Sequence, residues 1–177
     1  MFMDLIRRRR SVRKYRQQPV ENEKIDQLIE AALRAFSSRN TQPWEIIVVT
    51  DPETLARLSE ARPKGLAFIK EAPLAIVICA DPSKTDVWVE DASIAAAFVH
   101  LAATDMGLGS CWGQIRLRHH DEDQSAGAYV SGLLGIREGL EVESIIAAGY
   151  PAEEKEPHKQ ASLQYDKISR EKYGQNA

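Results

Sequence analysis

Only two cysteines, Cys79 and Cys111, occur in 177 residues. Two cannot build a disulfide framework. One lies in an apolar run and the other stands beside Trp112, so both read as free, buried thiols of a reducing compartment. Four histidines, His100, His119, His120 and His158, match no metal-ligand spacing with a cysteine or carboxylate. The longest apolar run, Leu74 to Ala80, is far too short to span a bilayer. The basic N-terminal stretch is followed by no apolar segment of the kind a secretory signal needs. These absences predict a soluble, cytoplasmic protein with no metal and no membrane partner. A broad basic surface is lacking too: 23 Lys and Arg stand against 26 Asp and Glu, a net charge of −3, which argues against nucleic acid as the main partner. No serine elbow, P-loop or Ser–His–Asp arrangement can be assembled, so no side chain is singled out as catalytic.

What is present is ordinary in bulk and unusual in one place. A chain of 177 residues, 44% hydrophobic and 28% charged, suits a single globular domain over residues 1–177. Helical spacing predicts a short helix over Met1–Arg10 and another over Glu21–Phe36. Trp44–Thr50 reads as a strand, and Pro52 opens a helix that runs to Ala61. A shorter helix is expected around Gly65–Lys70. Leu74–Ala80 reads as a strand buried on both faces. Thr85–Met106 contains no Gly or Pro and predicts a helix of about 33 Å, ended by Gly107 and Gly109. Strands over Ser110–Leu117 and Leu140–Gly149 flank a helix over Asp121–Leu134. From Tyr150 onward the chain is charged and poor in apolar residues, so it is either disordered or laid across a partner.

Four segments carry candidate chemistry. Five arginines and a lysine fall within positions 7–14, around Ser11, in a chain of negative net charge. Guanidinium forks and a hydroxyl match a phosphate, although a solvated helix end has the same composition. Ser37-Ser38-Arg39-Asn40-Thr41-Gln42-Pro43-Trp44 sets donors and acceptors that read a heterocycle edge, or else caps a helix and turns. Gly107-Leu108-Gly109-Ser110-Cys111-Trp112-Gly113-Gln114 permits close backbone approach to a flat ligand, or makes a tight connection, and lacks the dinucleotide fingerprint. Gly149-Tyr150-Pro151 ends the last strand. Donor-rich segments without acid–base machinery fit a protein that holds a redox cofactor.

Taken in order, these segments resemble the FMN-dependent nitroreductase family, and Glu90-Asp91-Ala92-Ser93-Ile94-Ala95-Ala96 adds to the match. The resemblance runs from about residue 3 to residue 170. It implies an α+β fold, a three-layer sandwich with a central, mostly antiparallel sheet flanked by helices. It implies a homodimer with FMN at the interface, and a C-terminal extension, residues 151–177, packing on the partner subunit. By position, Arg9, Arg10, Ser11 and Arg13 look like phosphate and ribityl contacts. Ser37, Ser38, Asn40 and Gln42 look like contacts to the partner's FMN. Trp112, Gly113 and Gln114 resemble the backbone near the flavin N5, and His158 and Lys159 fall where a basic phosphate contact is common. The implied activity is NAD(P)H oxidation by ping-pong hydride transfer to nitroaromatics, quinones or related small acceptors. Dehalogenation or ring dehydrogenation on the same fold, or a non-enzymatic anion-binding module, are the alternatives. Phe36 and Arg39 depart from the family pattern, and the chain is short for the family, with the segment that often covers the flavin absent or reduced.

Overall fold

The apolar run Leu74–Ala80 forms the strand around which the rest is built, and every residue in it is buried. In the computed structural model, which describes residues 1–175, the elements follow as α1 (Phe2–Arg8), α2 (Asn22–Leu33), β1 (Trp44–Val49), α3 (Pro52–Ser59), β2 (Leu74–Ala80), α4 (Trp88–Asp105), β3 (Gly109–Gln114), α5 (Ala126–Leu134) and β4 (Glu141–Gly149). The four strands make one antiparallel sheet in the order β1-β2-β4-β3. Side chains alternate along β2 because successive residues of a strand face opposite ways. Ala75, Val77 and Cys79 join a core with Leu55 and Leu58 of α3 and Val130 of α5. Leu74, Ile76 and Ile78 join a second core with Leu28 of α2 and Ala92, Ala95 and Val99 of α4. The result is the expected three-layer sandwich.

Local chemistry fixes the ends of these elements. Asp51 caps α3, accepting from the Thr54 backbone N–H at 2.8 Å, with Pro52 at the first helical position. Ser125 caps α5 in the same way, and its helix begins at Ala126, five residues later than Asp121, because Asp121 instead accepts from the backbone of Asp123 and Gln124 in a turn. The helix α4 is 18 residues, shorter than expected at its N-terminus, and stops at Gly107, whose φ is +76°. The short helix expected around Gly65–Lys70 does not form. Residues 60–73 run as bends and turns, with Gly65 at φ +93°, and they send Leu66 and Ile69 down onto the sheet. Between Val142 and Ser144 one extra residue, Glu143, bulges β4 and shifts its register against Ile78 and Cys79. Beyond Tyr150 the chain is extended, with two short 3-10 turns at Gln160–Ser162 and Tyr165–Lys167, and is largely exposed. The last two residues of the expected 151–177 extension, Asn176 and Ala177, lie outside the described residues.

Candidate functional site

The basic run is strapped to the sheet by its backbone. The Val12 N–H donates to the Ser110 carbonyl at 3.0 Å, and Ser11 bridges Ser110 in parallel. Further on, the Arg16 N–H donates to Tyr150 O at 2.8 Å and the Ala152 N–H to Lys14 O at 2.9 Å. The buried Tyr15 hydroxyl donates to Val12 O at 2.6 Å. Gly109 makes the first strap possible, since a Cβ there would lie 2.6 Å from Val12 Cγ1. Arg9, Arg10 and Ser11 are half-buried, whereas Arg7, Arg8 and Arg13 are exposed. The Arg13 backbone N–H donates to Glu153 at 2.7 Å, and both residues line an open cleft of about 820 Å³. Lys14, Lys70, Glu71 and Lys155 also line that cleft, with Ala67 and Phe68 as its apolar floor. The volume lies within the usual range for small-molecule sites.

Beside this cleft runs the free edge of β3. In an antiparallel pair, alternate residues of a strand turn their N–H and C=O toward the neighbour. The Ser110 carbonyl is taken from outside by Val12, so Ser110, Trp112 and Gln114 share the outward phase. The Gln114 carbonyl fits that phase, accepting from Arg62 Nη1 at 3.1 Å. The outward N–H groups of Trp112 and Gln114 take no backbone partner among the described residues. The Trp112 indole N–H donates to Gln114 Oε1 at 2.9 Å, and Gln114 Nε2 donates on to Arg116 O at 3.1 Å, which orders both side chains. Behind this edge, His100 Nδ1 lies 2.7 Å from Ser110 Oγ and the ring stacks on Trp112 at 6.3 Å. Burial, aided by the Arg9 charge, lowers the His100 pKa to about 4, so it is neutral at physiological pH. Cys111 packs in the core, where burial raises its pKa and keeps the thiol protonated.

The second polar segment is strained. Arg39, Asn40 and Gln42 have φ of +51°, +55° and +44°, a region that side-chain-bearing residues rarely enter and that collects at functional sites. Four hydrogen bonds hold the loop: Ser38 N–H to Asp91 Oδ1 at 2.8 Å, Gln42 N–H to Ser37 Oγ at 3.0 Å, Asn40 N–H to Ser37 O at 3.1 Å and Thr41 N–H to Ser38 O at 3.0 Å. Asp91 is buried, and its Oδ2 and Thr41 Oγ1 have no partner among the described residues.

The two halves of the expected site stand at opposite corners of the sheet. Ser37–Gln42 precede Trp44, which pairs with Ala80 at one end of β1 and β2. Arg9–Arg13 lie beside Gly109 and Gly149, at the other end and on the other edge. A seven-residue strand separates those ends by about 20 Å. Trp112, Gly113 and Gln114 occupy the β3 edge between the basic run and Arg62, whereas Lys159 is exposed on the tail. Sequence reasoning missed Arg62 and Lys70. Neither carries a motif, and only the fold brings Arg62 to the β3 edge and Lys70 to the cleft.

A four-stranded antiparallel sheet between two helical layers, with a donor-lined edge strand beside a cationic cleft, defines a class: three-layer α+β sandwiches. The nitroreductase family profile matches residues 6–62 and 59–150. An FMN-dependent nitroreductase from Clostridium difficile R20291 superposes with a TM-score of 0.95 at 46% identity, over 97% of this chain and 99% of that one. An Archaeoglobus fulgidus protein with the provisional name NADH dehydrogenase/NAD(P)H nitroreductase is 38% identical over 176 residues, 97% of this chain and 98% of that one. An FMN reductase [NAD(P)H] of Bacillus subtilis is 39% identical over 82 residues, 46% of this chain and 32% of that one. The chain belongs to the nitroreductase family. Among the described residues no helix is long and apolar enough to cross a membrane.

Proposed function

We propose that this protein is an FMN-dependent NAD(P)H oxidoreductase that works as a cytoplasmic homodimer, with each FMN held between two subunits. The observation that carries the reading is the separation of the two donor sets. One small cofactor cannot touch both corners of one sheet, but two chains related by a twofold axis bring the Arg9 corner of one to the Ser37 corner of the other. The donor set fits the cofactor: guanidinium groups and a hydroxyl for the phosphate monoester, an apolar floor at Phe68, and outward backbone N–H groups for ring heteroatoms. Bound there, FMN would supply the hydride chemistry that couples NADH or NADPH oxidation to reduction of a nitroaromatic, quinone or related acceptor by a ping-pong route.

The chain's own residues bind and orient. Arg9, Arg10, Ser11 and Arg13 hold the phosphate and ribityl chain, joined by Lys159 of the tail. Ser37, Ser38, Asn40 and Gln42 reach the partner's cofactor, and the strain in their loop buys that presentation. The Trp112 and Gln114 N–H groups offer hydrogen bonds where charge accumulates on reduction. No side chain acts as general acid: His100 is neutral and buried, and protons come from solvent at the open face.

Purified protein is expected to be yellow, to carry FMN, to sediment at twice the 19.8 kDa chain mass and to oxidise NADH or NADPH with a nitroaromatic or quinone. Joint Arg9→Ala and Arg13→Ala substitution should weaken FMN binding at least a hundredfold while circular dichroism stays unchanged. A colourless protein that takes up no added FMN would refute the reading.

A further inference from the structure

Arg62 is a cation of this site that nothing in the sequence singled out. It is half-buried and forms no ion pair among the described residues. Its one protein hydrogen bond runs from Nη1 to the Gln114 carbonyl, at 3.1 Å. The loop that carries it is pinned at both ends. His120 Nδ1 lies 2.8 Å from Glu60 O, two residues before it. After it, Leu66 packs so closely on β3 that a Cβ at Gly113 would lie 2.8 Å from Leu66 Cδ2. The guanidinium is therefore held against the strand edge and does not wave in solvent. A partly desolvated cation without a carboxylate is costly unless negative charge comes to it. Here the charge sits beside the Gln114 N–H, one of the two outward donors of this edge without a backbone partner among the described residues, because the N–H and C=O of a strand residue point the same way. An atom accepting from the Gln114 N–H shares that edge with the guanidinium.

We infer that Arg62 is a positioning residue of the cofactor site: it fixes the Gln114 peptide and sets a positive charge beside the Gln114 N–H, which raises the reduction potential of the bound FMN. This rests on the function proposed above. Reduction adds negative charge to the flavin, and a fixed cation a few ångströms away favours the reduced form. Arginine suits the task, since it stays charged even though burial and the neighbouring Arg118 both depress its pKa. Lys70 and Arg13 at the cleft rim are more exposed and add less.

The test is the potential of FMN bound to the full-length protein, read by equilibration with a dye of known potential. Arg62→Gln should shift the oxidised-to-reduced equilibrium at least tenfold toward oxidised, about 30 mV for a two-electron couple. Arg62→Lys should stay closer to the wild-type value than Arg62→Gln. Arg118→Glu sets a carboxylate near Arg62 without touching its bond to Gln114, and it should also make the potential more negative. A wild-type potential in Arg62→Gln overturns the inference. So does a wild-type potential in Arg118→Glu, which decides the matter if Arg62→Gln fails to fold or to hold FMN. Wild-type protein that takes up no FMN would instead overturn the functional reading beneath it.

Discussion

Glycine at 149 is required by distance, not by backbone angle. A Cβ there would stand 2.5 Å from Pro73 Cδ and 3.2 Å from Tyr15 Cδ1, and the proline ring cannot swing aside. Gly149→Ala should therefore destabilise the fold by about 1–3 kcal/mol, the usual cost of overpacking. Gly132 is the internal control. It lies within α5 with nothing within 4 Å of its Cβ position, so Gly132→Ala should raise stability by about 0.5–1 kcal/mol. Urea unfolding of the two variants checks both signs. Gly149 also marks how much of the site is written in single residues. The Gly-Tyr-Pro step was legible as a strand end, but its tight seat on Pro73 and Tyr15 was not, because both partners are remote in sequence. The same holds for Arg62. Arginine in a polar turn has no signature, and its value comes from a carbonyl 52 residues away.

At the scale of elements, α4 docks on β3 through a polar contact in an otherwise apolar seam. His100 meets Ser110 there, and its folded pKa of about 4 lies below the ordinary value of 6.5. The unfolded chain thus binds a proton more readily than the folded one between those values. Stability from this group is complete above about pH 6.5, falls as pH drops toward 4, and is then flat. The loss is about 3 kcal/mol over that window. Carboxylates held below their ordinary range by turn and cap hydrogen bonds, Asp51, Asp81 and Asp121, add their own losses only below about pH 4. Chemical unfolding between pH 4 and 7 should show the slope, and His100→Gln, which keeps a partner for Ser110, should flatten it. An unchanged slope would place the titration elsewhere. Among the elements themselves, β2 was legible because its apolar run admits only burial on both faces. The helix expected near Gly65 was not real, because Leu66, Phe68 and Ile69 follow the demands of the sheet and not a helical period. The left-handed residues at 39, 40 and 42 were invisible too, since φ is imposed by the contacts to Asp91 and Ser37 and not by residue type.

For the whole molecule the decisive feature is what one chain leaves uncovered. The outer face of α4 carries Ile94, Ala97, Phe98 and Leu101 at helical spacing, opposite the alanines packed on the sheet. A helix apolar all round is one with neighbours all round. Phe36 and Leu33 continue that face and are 67% and 52% exposed, with Phe36 edge-on to Phe98 at 6.1 Å. The tail repeats the pattern, holding Leu163, Tyr165 and Ile168 away from its own core. In the homodimer proposed above, a second copy would bury all three groups at once and close the gap between the Arg9 and Ser37 corners. Assembly and cofactor binding should then be a single event. Ala97→Arg puts an unpaired charge at the centre of that face, where the exposed small side chain leaves the isolated fold indifferent to the change. Analytical ultracentrifugation should show the variant as a folded monomer, and fluorescence titration should show its FMN affinity falling at least a hundredfold in parallel. A monomer that still bound FMN at wild-type affinity would mean that one chain builds the whole site, and the twofold arrangement would fall with it.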